Sequence, residues 1–323
     1  MSTGTEQTGS LISTLRAAVE QGRAKLEATL VWQVWERMVE TEFVDRSVAL
    51  AGKAFVSFFP LVIVVAAFVP AGMRASIFQT LTTRLGVQGP ALALARKGFS
   101  SADDIKRATG ILGLLLTFFF ASSFTTALQR VYLRAWRRPR DLKVGSYTRG
   151  LIWLAGLLLF MTPTGAVGRR LADGVGLIVF VPLTFVLSIG WWWFSAWYLL
   201  LGHVRWRVLL PSALLSSVGL IGYGIVAQFW MPDVVTQNLA QFGFFGIALA
   251  LVTWFSGASV CIIVAACAGP VLAEDDGVIG RFVRGHDDTV LNPGVPPALP
   301  APERVGRWRD VLARGDGVDD SDT

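Results

Sequence analysis

The chain has 323 residues, 53% of them hydrophobic and only 16% charged, with a mean hydropathy of +0.54. Soluble proteins carry about 25% charged residues, and here the charges gather into short stretches between long neutral runs, so the composition argues against a soluble domain and for a polytopic membrane protein. The formal charge of +6 and the pI near 9.7 are explained by arginine at the edges of those runs, without a basic and aromatic face that would suit nucleic acid.

Residues 1–46 form a cytoplasmic segment in this reading. From Leu11 to Val44 the pattern is helical, with Leu26, Leu30, Val31, Val34, Trp35, Met38 and Val39 on one face and Arg23, Lys25, Glu27, Glu36, Arg37 and Glu40 over much of the rest. Such a helix either lies on the membrane surface or packs under the bundle, and the sequence leaves both open.

A transmembrane domain is expected over 47–272. Its first span, 47–70, holds Lys53 near one end and Pro60 in the middle. A long link to about Ala108 leads to the second span, 109–128, whose exit turns polar at Ser122, Ser123, Thr125, Thr126 and Gln129. Helical hydroxyls bond carbonyls a turn earlier, so these residues either satisfy themselves or line a polar cavity. The most basic stretch follows, with Arg130, Arg134, Arg137 and Arg138 beside Tyr132 and Trp136. Orientation by the positive-inside rule accounts for it, and contact with anionic phospholipid headgroups is the functional alternative.

The third span, 151–167, contains Pro163, and the fourth, 175–201, carries Pro182 and Trp191, Trp192 and Trp193, which are expected to pack toward lipid, a ligand surface being the alternative. A short basic turn precedes the fifth span, 208–230, which includes Tyr223 and Gln228. The outer link 231–241 has no lysine or arginine. In the sixth span, 242–271, Thr253, Gly257, Cys261, Ala265 and Gly269 recur every fourth residue, a ridge of small side chains that admits another helix closely. Cys261 and Cys267, six apart, fall on different sides of the helix and suit neither a disulfide nor a metal clamp. Residues 273–323 turn to Gly, Pro, Asp and Arg, a largely disordered cytoplasmic tail with room for a short helix near Arg304 to Leu312.

Lysine and arginine number five, seven, two and six in the amino-terminal segment, the second link, the fourth link and the tail, against six, two and none in the first, third and fifth links. Six spans with both termini inside fit best, the long first link obeying the rule less strictly.

Little here supports catalysis. His203 and His286 have no partner at ligand spacing, the acidic clusters lie in links or tail, and there is no phosphate-binding loop. We therefore assign no catalytic residue, metal or cofactor. Lys53 is the one Asp, Glu, Lys, Arg or His residue inside the six spans. It lies roughly 9 Å along the helix from Ser47 at about 1.5 Å per residue, within reach of snorkelling, or it places its ammonium in a cavity that attracts an anion. Pro60 frees the carbonyl of Val56, with Ser57 available to repair the bonding. The cavity set is Lys53, Ser57, Pro60, Ser122, Ser123, Thr126, Tyr223 and Gln228.

The stretch ALAGKAFVSFFPLVIV (49–64) resembles the first-span signature of the YihY/BrkB family of bacterial inner-membrane proteins. Similar correspondences are ALQRVYLRAWRRPR (127–140), VRWRVLLPSALL (204–215) and FGFFGIALALVTWFSGASV (242–260), so the resemblance covers roughly Val34 to Leu272. It implies an all-α bundle of six spans in the cell membrane with both termini cytoplasmic. The chain departs from the family at Gly52 and Lys53, where relatives have aromatic or small neutral residues, and at CAGPVLAEDD, where many show Gly-Ala-Glu. The family also carries a ribonuclease label, for which no catalytic constellation exists here. Two functions follow as expectations: a transporter or exporter of a small or amphiphilic solute that does not use ATP, and a membrane scaffold or envelope-integrity protein.

Overall fold

The computed structural model describes residues 29–68, 102–139, 148–157, 159–160, 175–285, 289–292 and 295. Among them the regular elements are helical: α1 Leu30–Glu40, α2 Phe43–Phe68, α3 Ala102–Ala135, α4 over 148–157, α5 Val175–Leu199, a 3-10 turn Trp206–Leu209, α6 Leu210–Phe242, α7 Phe244–Glu274 and α8 Val278–Arg284. A single antiparallel bridge pairs Val204 with Leu291 among these residues.

Three stretches, Phe180–Leu199, Trp206–Phe242 and Phe245–Glu274, are long and apolar enough to cross a membrane. Val186, Ile225, Val226, Phe229 and Val252 on them are exposed, a continuous apolar surface that water would penalise and lipid tails accept. The chain is a membrane protein. Helices α2, α3 and α4 overlap the first three expected spans, α3 starting already at Ala102 inside the expected first link, while 1–28, 69–101, 140–147, the expected end of the third span at 161–167, the third link and the far tail lie outside the described residues.

Helix α7 is the hub, packed against α1, α2, α3, α6 and α8. The small-residue ridge explains the close approach of α6. A Cβ on Gly257 would come within 2.5 Å of the Tyr223 ring, one on Gly269 within 2.6 Å of Ser212 Cβ, and Cys261 sits over Gly219. Helices α6 and α7 are joined through one residue, Gly243, at φ +56° and ψ −135°, and Gly246 abuts the backbone of Asn238 so closely that no side chain fits. The expected outer link 231–241 is therefore helical. Pro232 forfeits one backbone bond, but Met231 and Val235 are buried with Ala227 and Ala250 in a small core of this hairpin, which holds the helix through to Phe242.

The main core gathers Leu50, Leu128, Tyr132, Trp136, Trp153, Trp191, Trp192, Leu209, Ile263 and Cys267. Trp191 and Trp192 thus face inward, correcting the expectation of lipid packing. Trp191 meets Trp153 at 5.5 Å and stacks on Phe160 at 5.5 Å, while Trp153 donates its indole N–H to Ser195 Oγ at 3.0 Å. A buried indole needs that acceptor, so it selects the interior.

Of the two placements open for the amino-terminal helix, α1 takes the one under the bundle, against α7 and α3, with Arg37 and Glu40 buried. Thr29 caps its start, and Glu42 turns the chain into α2 through a left-handed φ of +56°. The tail is ordered where it begins: α8 buries Arg284, which donates to the carbonyls of Ala273 and Asp275, and Asn292 returns to His203 and Gly202. Those bonds absorb the donors of a segment whose composition reads as loose.

Candidate functional site

Polar side chains collect at one end of the bundle, where α1, the start of α2, the end of α3, the end of α5, the start of α6 and the end of α7 come together. The groups there are positioned by helix ends rather than by a loop.

The first grouping lies between α2 and α3. Lys53 on α2 is half-buried, and the charge of Arg130 on α3 acts on it. Lys53 thus sets a cation on the α2–α3 contact, a charge that a bound anion would offset. Ser57 does not repair the bonding around Pro60. Its hydroxyl donates to the Phe120 carbonyl at 2.8 Å and fastens α2 to α3.

The neighbouring hydroxyls serve the backbone. Thr126 donates to Ser122 O at 2.7 Å and Thr125 to Ala121 O at 3.0 Å. Ser122 is buried where α4 crosses, its Cα 3.0 Å from a Cβ placed on Gly150, and Ser123 is half-buried. On α6, Tyr223 donates to Trp254 O at 3.0 Å across the ridge, and Gln228 is exposed. The structure thus brings Lys53, Ser57 and Pro60 together with Ser122, Ser123 and Thr126 on one helix pair, and leaves Tyr223 and Gln228 on another pair, α6 and α7.

The second grouping is ionic. Arg37, from α1, donates to Ala135 O at 2.7 Å and to Glu274 Oε2 at 3.1 Å, with Glu40 Oε2 3.8 Å away. Arg137 grips both oxygens of Glu40 at 2.6 and 3.1 Å, and Arg134 reaches Glu40 O and the Glu42 carboxylate at 3.1 and 3.0 Å. Arg137 itself is left-handed at φ +48°, closing α3 with Arg138 N donating to Leu133 O. Of the four arginines proposed from sequence for anionic lipid, Arg134 and Arg137 are paired with acids, Arg138 is buried and Arg130 acts through its charge on Lys53. A cavity of about 290 Å³ opens next to the network, lined by Glu36, Glu40, Glu274, Asp275 and Asp276 with Arg37 and Arg137. Among the described residues no group of three or more His, Cys, Asp or Glu is disposed to hold a metal.

The third grouping is a knot of hydroxyls. Tyr132 is fully buried near Ser212 and Ser216 of α6; burial pushes its phenol up to about 12, moderated by those two hydroxyls. Ser212 also donates to Ala265 O at 3.2 Å, and Cys267 Sγ approaches Thr41 Oγ1 at 3.5 Å. Sequence reasoning missed Arg37, Glu40, Tyr132 and Ser212 as site residues. The available signal was slight: an i, i+3 pair of opposite charge in α1 and a lone tyrosine inside a basic run.

Comparison of the chain with family models, curated proteins and solved structures yields no match.

Proposed function

We propose that the protein is a six-span transporter of the YihY/BrkB type, with both termini cytoplasmic, which engages an anionic amphiphile at the α2–α3 face and moves it across the bilayer without ATP. The observation that carries this is Lys53, half-buried on α2 where it packs against α3 and within the reach of the charge of Arg130. An amphiphile suits the place: its acidic headgroup meets the Lys53 cation, and its chains meet the exposed Val56 and Phe59 farther along α2. Pro60 supplies a flexible point in the same helix.

The test is translocation of fluorescent phosphatidylglycerol in proteoliposomes, read by quenching from outside. Wild type accelerates exchange between leaflets. Lys53→Met slows it about tenfold, as expected for losing a charge-assisted contact of about 1.5 kcal/mol, and Lys53→Arg restores it. A wild-type rate equal to that of empty liposomes overturns the transport reading.

A second reading, a membrane scaffold, is favoured by one observation: Ser57, Thr125, Thr126, Ser212 and Tyr223 all spend their hydroxyl protons on backbone carbonyls. Copurification of a stoichiometric membrane partner, with no lipid exchange, selects it.

A further inference from the structure

The short helix α8 presents an apolar face away from the bundle. Val278 is 79% exposed, Ile279 53% and Phe282 68%, while Gly280, Val283 and Arg284 on the other side are buried. The inner side is well fixed. Arg284 bonds Ala273 O and Asp275 O and pairs with Asp276, and Gly277 N donates to Asp275 Oδ2 at 2.8 Å. The outer face is thus held in place on an anchored helix, and fraying at a chain end does not account for it.

Beside it stands the 3-10 turn, packed against α8. Trp206 of that turn is 59% exposed and stacks on Trp193 of α5 at 4.5 Å and 7°. Arg207 is exposed and approaches Gly285 at the end of α8, and Arg281 is exposed between Val278 and Phe282. Along α5 the apolar surface continues through exposed Trp197 and Phe194. This is a patch of valine, isoleucine, phenylalanine and tryptophan interleaved with arginine, continuous with the lipid-facing side of a spanning helix. Of the acids before α8, Asp275 accepts from Gly277 N and Asp276 pairs with Arg284 at 3.3 Å.

We propose that α8 and Trp206 form an interfacial plate seated in the leaflet at this end of the bundle, with Val278, Ile279 and Phe282 among the upper acyl carbons and Arg207 and Arg281 at anionic headgroup phosphates. Continuity with α5 and the charge of the two arginines identify the occupant as an anionic bilayer surface. The plate lies apart from the α2–α3 face, so it stands whether or not that face transports lipid.

Spin labels decide it. The full chain, with Cys261→Ala and Cys267→Ala, is labelled singly at Val278→Cys, Phe282→Cys or Thr289→Cys and placed in nanodiscs of phosphatidylethanolamine and phosphatidylglycerol. Labels at 278 and 282 collide more with oxygen than with an aqueous nickel chelate, and the label at 289 shows the reverse. Arg207→Gln with Arg281→Gln shifts the label at 282 toward water. In the unmodified chain, amide exchange of residues 278–284 slows when phosphatidylglycerol replaces phosphatidylcholine. Nickel collision at 278 and 282 equal to that at 289 overturns the proposal, as does dipolar broadening between labels, which assigns the face to a second copy. Exchange indifferent to headgroup charge overturns the part given to the arginines.

Discussion

Arg37 joins three elements through one guanidinium: its own helix at Glu40, the end of α3 at Ala135 O and the end of α7 at Glu274. Without Arg37, Glu40 keeps Arg137 and the half-exposed Glu274 turns to water, so the loss is that of the charged hydrogen bonds, about 1.5–3 kcal/mol. Arg37→Met should lower the unfolding free energy in detergent by about that amount, whereas Glu36→Gln at the cavity rim should change it little. From sequence, Arg37 and Glu40 belong to the polar face of an amphipathic helix, because spacing reports only which residues share a face. Their partners stand 98 and 237 positions away, and no local pattern encodes such contacts.

Tyr132 gives a pH signature. An exposed phenol ionises near 10, while this one holds its proton up to about 12 because it is buried. The unfolded chain therefore releases a proton first as pH rises, so stability is complete below pH 10 and falls between about 10 and 12. Stability measured across that window should decline with a slope one proton steeper in wild type than in Tyr132→Phe. Lys53 is the residue the sequence marked most clearly. What it could not supply was the influence of Arg130, since the two sit on different helices.

At the scale of elements, the interval of four from Thr253 to Gly269 was legible and so was its consequence, close approach to another helix. Only the structure names the partner, α6, and the groups that fill the ridge, Tyr223 and Ser212. Gly269→Leu should separate α6 from α7 and cost about 1–3 kcal/mol, read as a lowered thermal midpoint in detergent, while Gly222→Leu, where a Cβ meets nothing within 4 Å, should be near neutral. The start of the tail and the link before α7 were not legible in this way. Gly, Pro and Asp signal turns on average, but Asp275 and Gly277 here build the entry to a helix, and Pro232 is tolerated because its neighbours Met231 and Val235 are buried on α7.

For the molecule as a whole, the same end of the bundle holds Arg37, Arg46, Arg134, Arg137, Arg138, Arg205, Arg207, Arg281 and Arg284, while among the described residues the far end has Lys106 and Arg107, beside Asp103 and Asp104, at the start of α3, and α6 nears Gly243 with Asp233 and no lysine or arginine. A charge asymmetry of this kind orients a membrane protein with its arginines toward the cytoplasm. A reporter active only outside the cytoplasm should be active when fused after Asn238 and silent after Lys143; the reverse pattern overturns the orientation.

The hairpin of α6 and α7 has a further consequence for the bilayer itself. Helices of 33 and 31 residues extend about 50 and 46 Å at 1.5 Å per residue, against a hydrocarbon layer about 30 Å thick. The excess projects past the hydrocarbon at the Gly243 end, where Asp233, Gln237, Asn238 and Gln241 suit headgroups and water better than acyl chains. A thicker membrane covers more of that polar end of the hairpin and a thinner one frees more of it, with tilt taking up the remainder.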